Sequence, residues 1–344
     1  MEALLTFAHR EPYWEAVTKE TELIHRVAPQ AKVMQMLHPS MEVIYRPLQD
    51  RWPWAGEAIQ RPDGSTFEEP YYSTAWLGDW TKRDWAVQYF VPRPGSTYLE
   101  ALLGGVRRAL DECGLDGLYC DEFSFAYNTR GYSRYDYSRW DGYSADLDEA
   151  GNVVRLKCDN GLVTESCQLR MVHLVLRRGG FFLNNGGNAL RSVCSLPHAR
   201  FIEGGSGPAV MSQGHLSPAP LVLGNMGDET TRKGVFDSVK ACLERGCLYS
   251  PTAVNLVLEG RDNFVCKLYP ITVQQLGPGW VIGRERLITV VSRPFRWPEG
   301  GGSARLFRYD AEGKLIGRSQ ATVEAPKGLT VDVPEEGLAI AETT

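Results

Sequence analysis

Over roughly the first 250 positions, short apolar runs alternate with stretches whose apolar residues recur every three or four places, the pattern of strands interleaved with helices. The runs predict strands over 3–8, 32–38, 85–91, 117–122, 180–185, 199–203, 220–224 and, on the shortest run, 247–250. Helices are expected over 13–28, 163–178 and 231–245, the first bounded by Pro12 and Pro29. The clearest helix opens with Thr97 and Glu100, read as a capping box. It carries Leu99, Leu102, Leu103, Val106, Leu110 and Cys113 on one face before Gly114 stops it. Eight strands with intervening helices predict an α/β fold, a (β/α)₈ TIM-type barrel rather than an open doubly wound sheet. No GxGxxG or GxxxxGK[ST] loop follows a strand to indicate a nucleotide fold.

Two stretches, 45–84 and 123–161, break the alternation, and long loops after barrel strands usually build sites. Both are rich in rings, among them Trp52, Trp54, Trp76, Trp80, Tyr135, Tyr137, Trp140 and Tyr143, so an aromatic-walled cleft is expected over the C-terminal face of the barrel. After about residue 262 the texture changes to β-branched and aromatic runs at Phe264–Tyr269, Glu285–Val291, Ala304–Tyr309, Leu315–Ser319 and Leu329–Val333, with turns at Asp310–Gly313 and Pro326–Gly328. The expected organisation is a barrel domain over 1–261 and a small antiparallel β-sandwich over 262–344.

Composition narrows the partners. With 43% hydrophobic and 23% charged residues, a formal net charge of -5 and no block of like charges, neither nucleic acid nor an anionic membrane is an expected partner. A length of 344 residues suits one large domain and a smaller one. The eight cysteines form no CxxC pair or zinc framework, and most fall in apolar segments, so they are expected to be reduced and buried. No eighteen-residue apolar run and no signal-peptide pattern is present. The apolar start at Met1 raises the expectation of missing upstream sequence, which leaves the location as cytoplasmic by default and secreted if a leader precedes.

The chemistry concentrates at strand ends. In GLYCDEF (117–123) strand alternation sets Tyr119 and Asp121 on one face and Cys120 and Glu122 on the other. The apolar residues do not decide which face is inward, but Gly117 four residues before Asp121 fits Tyr119 and Asp121 as the pair facing the barrel mouth. Glu122, at the strand exit, is expected to support Asp121. A second acid, Glu203, ends the run Ala199–Glu203 before a glycine pair. Two acids on nearby strand ends are what glycoside hydrolysis needs, one to attack or activate water and one to protonate the leaving oxygen. Asn184 and Asn185 offer amides to sugar hydroxyls or to a carboxylate, and His38, after the second strand, offers a ring nitrogen. Trp76 and Trp140 are the stacking surfaces expected to hold a sugar. The competing structural role for the acids is turn capping or pairing with Arg130 or Arg200, and for His38 simple burial. Asp146 and Asp148 before Gly151 are better explained by a hairpin turn than by a calcium loop. The surroundings of Cys120 are expected to raise its pKa, which excludes it as a nucleophile. No metal or cofactor enters this reading.

The stretches GLDGLYCDEF, FFLNNGG and ARFIEGG, with Leu268–Thr272 and GPGWVIGRERLIT (277–289), resemble glycoside-hydrolase-like (β/α)₈ proteins that carry a C-terminal β-sandwich. The resemblance covers most of the chain. In α-galactosidase-like and α-glucosidase-like retaining barrels the nucleophile is an Asp ending the fourth strand and the acid/base an acid ending the sixth, which implies Asp121 and Glu203 here. The sixth-strand acid is Glu rather than the Asp common in that group. Amylase-like barrels place an acid on the fifth strand, where this chain has Asn184 and Asn185. The resemblance implies a retaining glycosidase acting on an oligo- or polysaccharide. The alternatives are a non-catalytic carbohydrate-binding barrel and, disfavoured by the lack of paired histidines, a metal-dependent hydrolase.

Overall fold

A computed structural model describes residues 11–69, 84–124, 134–186, 190–203, 218–224, 228–250, 256 and 260–344. The fold is mixed α/β, with parallel strands and an antiparallel sheet. By its internal contacts the chain divides into two compact units, Met1–Arg200 and Phe201–Thr344.

The first unit runs α1 (Glu11–Val27), β1 (Met34–Leu37), β2 (Met41–Tyr45), β3 (Trp85–Tyr89), α2 (Thr97–Asp111), β4 (Gly117–Cys120), four short strands β5 to β8 (Tyr135–Asp136, Ala145–Leu147, Val153–Leu156 and Cys158–Asp159), α3 (Glu165–Leu176) and β9 (Phe181–Asn185). Strand β4 pairs in parallel with β1 on one side and β9 on the other. Gly117 makes that second pairing possible, because a Cβ there would lie 1.8 Å from the Phe181 carbonyl oxygen. Alternation then sorts the side chains. Leu37, Leu118, Cys120 and Phe182 pack with Leu99, Leu102, Leu103 and Val106 of α2 and Cys167, Met171, Val172 and Val175 of α3 in one buried cluster, each such side chain worth about 1.5–3 kcal/mol. Tyr119 sits on the opposite face, half-buried.

Three expectations are corrected. The strand expected over 85–91 does not join the parallel run: β3 lies antiparallel to β2, from Met41 opposite Tyr89 to Tyr45 opposite Trp85. An apolar run carries no direction, and the described part of the connection after β2 holds 3₁₀ turns, not a crossover helix. The α2 cap is Ser96, whose hydroxyl accepts the Leu99 amide at 3.0 Å, while the Thr97 hydroxyl donates to Glu57. In the second unit, the strand expected over Phe264–Tyr269 is instead a helical turn, Val265–Leu268. The strand expected over 3–8 lies outside the described residues.

In the second unit β10 (Ala199–Glu203, of which Phe201 onward belongs here), β11 (Leu221–Gly224) and β12 (Leu248–Tyr249) are followed by an antiparallel sheet, with α4 (Arg232–Glu244) between β11 and β12. After α5 (Val265–Leu268), whose first amide is received by Asn263 Oδ1 at 2.9 Å, come β13 (Val273–Gly277), β14 (Trp280–Gly283), β15 (Arg286–Thr289), β16 (Arg293–Phe295), β17 (Gly302–Tyr309), β18 (Leu315–Val323), β19 (Leu329–Val331) and β20 (Leu338–Thr343). The six-stranded order is β13-β14-β15-β20-β17-β18, with β16 and β19 paired separately. Both faces of the sheet are buried, and the period-two pattern shows it. Val281, Ile288, Phe307 and Ile340 face Phe236 and Val239 of α4, while Ile282, Leu287, Leu306 and Ala341 face Phe295, Trp297 and Val331. Asp310 Oδ1 receives the Glu312 and Lys314 amides and makes the expected turn before β18.

All eight cysteines are free thiols, six of them buried. Among the described residues no helix is long and apolar enough to cross a membrane.

Candidate functional site

The C-terminal end of β4 is held on both sides. The Asp121 amide donates to the Leu37 carbonyl at 2.8 Å and the Phe123 amide to the Asn185 carbonyl at 3.3 Å, so the turn that follows the strand continues the tie to both neighbours. Within it Asp121 is 8% exposed. Its Oδ1 accepts the Asn185 side-chain amide at 2.7 Å and the Glu122 backbone amide at 3.1 Å. Both contacts fall on one oxygen; Oδ2 has no hydrogen-bond partner among the described residues.

Glu122 adopts φ of 45°, a left-handed conformation that costs a residue with a Cβ about 1–2 kcal/mol. That turn swings its side chain toward β3 and the end of β1. The Tyr89 hydroxyl donates to Glu122 Oε2 at 3.0 Å, and His38 Nε2 lies 3.3 Å from the same oxygen. His38 is completely buried, with its ring edge-on to Tyr89 at 5.8 Å between centroids. Neither ring nitrogen makes a hydrogen bond of good geometry among the described residues. The strand ends thus assemble, among the described residues, a carboxylate tied through one oxygen, a strained and one-third exposed second carboxylate, and a fully buried imidazole.

Of the residues singled out in the sequence, the structure brings together Asp121, Glu122, Asn185 and His38. Tyr119 is on the expected face of β4. Asn184 goes elsewhere: it stands two positions after Phe182, hence on the helix-facing side, and its amide donates to the Gly186 carbonyl at 2.8 Å. Glu203 ends β10 and is exposed, in the second unit. Trp140 is 54% exposed on the segment between β5 and β6, and Trp76 lies outside the described residues. Burial, with Cys167 and Asp121 adding to it, pushes the Cys120 thiol well above its ordinary range. Among the described residues no group of three or more His, Cys, Asp or Glu could hold a metal ion.

Two features carry no sequence signal of their own. Tyr89 reads as one more apolar strand residue, yet it orients Glu122. Trp52 and Trp54, expected as walls of a cleft, both turn inward and donate their indole N–H groups to Glu42 Oε2 at 2.7 and 3.0 Å. Glu42 is 1% exposed, so the rings act as hydrogen-bonding walls around a buried carboxylate. The other irregular stretch is likewise partly built: β6 and β7 form a hairpin whose turn is closed by Asp148, accepting the Ala150 and Asn152 amides at 3.0 and 2.8 Å.

No protein-family model and no curated protein matches the chain. Among solved structures it is similar to a cycloisomaltooligosaccharide glucanotransferase of Paenibacillus sp. complexed with cycloisomaltoheptaose, at 10% identity and a TM-score of 0.36, over 96% of this chain and 45% of that one. It is also similar to a GH31 family sulfoquinovosidase from E. rectale in complex with an aza-sugar inhibitor, at 11% identity and a TM-score of 0.45, over 98% of this chain and 54% of that one. The chain spans about half the length of these structures.

Proposed function

We propose that the protein is carbohydrate-active, a retaining glycoside hydrolase in which Asp121 is the nucleophile and Glu203 the general acid/base. In this reading the parallel strands are part of a (β/α)₈ barrel over 1–261, and 262–344 is a β-sandwich domain that supplies no catalytic acid. The observation that carries it is the half-tied carboxylate of Asp121 at the end of a parallel strand, with one oxygen fixed by two donors and the other without a partner among the described residues. A nucleophilic carboxylate needs that asymmetry: one oxygen sets the angle of attack and the other makes the bond.

In the first step Asp121 Oδ2 bonds to the anomeric carbon, the glycosidic C–O bond breaks, and Glu203 gives its proton to the leaving oxygen. In the second, Glu203 takes a proton from water as that water displaces the carboxylate, and the configuration is retained. Glu122, fixed by Tyr89 beside His38, is suited to receive a substrate hydroxyl. An exposed ring such as Trp140 suits stacking on the C–H face of a sugar.

The test is a screen of aryl glycosides and natural oligosaccharides against the wild type and Asp121→Asn side by side. The expected result is turnover by the wild type, reduced by at least about a thousandfold in the variant, with binding kept. Turnover undiminished by the substitution would overturn the assignment. Binding without turnover by the wild type would leave a carbohydrate-binding protein.

A further inference from the structure

Folding gathers arginines that the sequence keeps apart. In the first unit a cleft of about 340 Å³ has Leu103 and Leu174 among its lining residues, together with Arg107, Arg170 and Arg177. His173 and Arg178 complete the lining, which contains no carboxylate. The cleft lies along α2 and the last turns of α3.

Two of the arginines already have partners. Arg170 Nη1 lies 2.9 Å from Glu100 Oε1, and Arg178 meets both oxygens of Asp111 at 2.6 and 2.8 Å. Each pair joins α2 to α3 or to the residues just after it, so together they clamp the walls at two separate levels. The other two arginines, Arg107 and Arg177, are exposed and have no ion pair or hydrogen bond at contact distance among the described residues, Arg107 acting on the Asp111 carboxylate only through its charge. Arg177 caps the C-terminus of α3, where a cation answers the helix dipole. Arg107 stands a full turn inside α2, exposed to solvent, where, after the hydrogen bonds from Arg178, its charge also helps hold the Asp111 carboxyl below its ordinary range. Like charges that share one cleft repel, and an anion between them turns that repulsion into attraction.

We propose that this cleft binds a compact oxyanion, a phosphate or sulfate group, held between the guanidinium groups of Arg107 and Arg177. The planar fork of each arginine matches two oxygens of a tetrahedral anion. The volume exceeds that of the anion alone, and the two leucines suit the carbon body of an ester. The site shares no residue with the Asp121 cluster, so it stands or falls independently of the reaction proposed there.

Isothermal titration of the full chain at fixed ionic strength tests it, with inorganic phosphate, inorganic sulfate, glucose 6-phosphate and glucose 6-sulfate as probes and glucose as the uncharged control. Arg107→Ala/Arg177→Ala is compared with Arg261→Ala/Lys314→Ala, two exposed cations of the second unit that line a different cleft. The expected result is saturable one-to-one binding of at least one probe with a dissociation constant below about 1 mM. That binding is weakened at least about tenfold by the first double substitution and unchanged by the second. Tighter binding of an ester than of the matching free ion identifies a phosphorylated or sulfated metabolite as the source, and the reverse identifies the free ion. No probe binding below about 1 mM, or equal weakening by both double substitutions, would overturn the proposal.

Discussion

Two aspartates stand at opposite ends of the same four-residue strand, and their surroundings differ in kind. At the N-terminal end of β4, Asp116 has both oxygens occupied: Lys32 Nζ donates to Oδ1 at 2.8 Å, and the Val33 amide and His25 Nε2 approach Oδ2 at 2.9 and 2.8 Å. Burial by itself would push its carboxyl up, but the hydrogen bonds from Lys32, Val33 and His25 outweigh it and hold the pKa at about 2. At the C-terminal end, Asp121 has, among the described residues, one oxygen hydrogen-bonded and one not, beside a strained Glu122 and a buried His38 whose Nε2 lies 3.3 Å from Glu122 Oε2. One end is finished as a structure. The other is left open, which is where a site differs from a scaffold.

The comparison breaks first if the strand between the aspartates can be altered freely. Gly117→Ala is expected to cost about 3 kcal/mol, because the new Cβ meets the Phe181 carbonyl and β4 and β9 must separate. Urea denaturation followed by far-UV circular dichroism measures it. A cost under about 1 kcal/mol would show that the pairing is not what positions the two ends.

The next largest effect belongs to the finished end. Asp116→Asn is expected to lose about 2 kcal/mol at pH 7. The sign follows from a folded pKa held below the unfolded value of about 3.9. The wild type keeps this contribution above about pH 4 and loses it as the pH falls toward 2, while the variant lacks it throughout and shows a flatter acid limb. Thermal melts of both proteins across pH 2–7 separate this from a general acid effect.

The smallest effect sharpens the contrast. Glu122→Gly removes the left-handed strain and is expected to leave the fold within about 1 kcal/mol of the wild type, on the stabilising side. The same variant should lower turnover, since it deletes the carboxylate that Tyr89 orients. A clear loss of stability with unchanged turnover would make Glu122 a structural residue.

Much of this contrast was legible in the sequence. The runs that became β1, β4, β9, β10 and β11 are apolar enough to stand out, and a carboxylate or amide just after such a run marks a strand end. Period two put Tyr119 and Asp121 on one face and Cys120 on the other, and the same rule, applied to Phe182, separates Asn184 from Asn185. What was not legible depends on distant partners. The direction of β3 is set by pairing with β2, not by its own residues. A short apolar run such as Phe264–Tyr269 suits helix and strand alike, and the Asn263 side chain, which accepts the Val265 amide, favours the helical turn. The inward turn of Trp52 and Trp54 depends on Glu42, ten and twelve residues away, with no local pattern to announce the bond.

Stability and turnover measured together on Asp116→Asn and Asp121→Asn test the central claim most directly, because the two substitutions make the same chemical change at the two ends of one strand. A double dissociation is expected: Asp116→Asn loses about 2 kcal/mol and keeps the wild-type turnover number on an aryl glycoside. Asp121→Asn stays within about 1 kcal/mol of wild-type stability and loses at least about a thousandfold in turnover. Equal loss of stability at both ends with turnover untouched would contradict it and make Asp121 a second structural carboxylate.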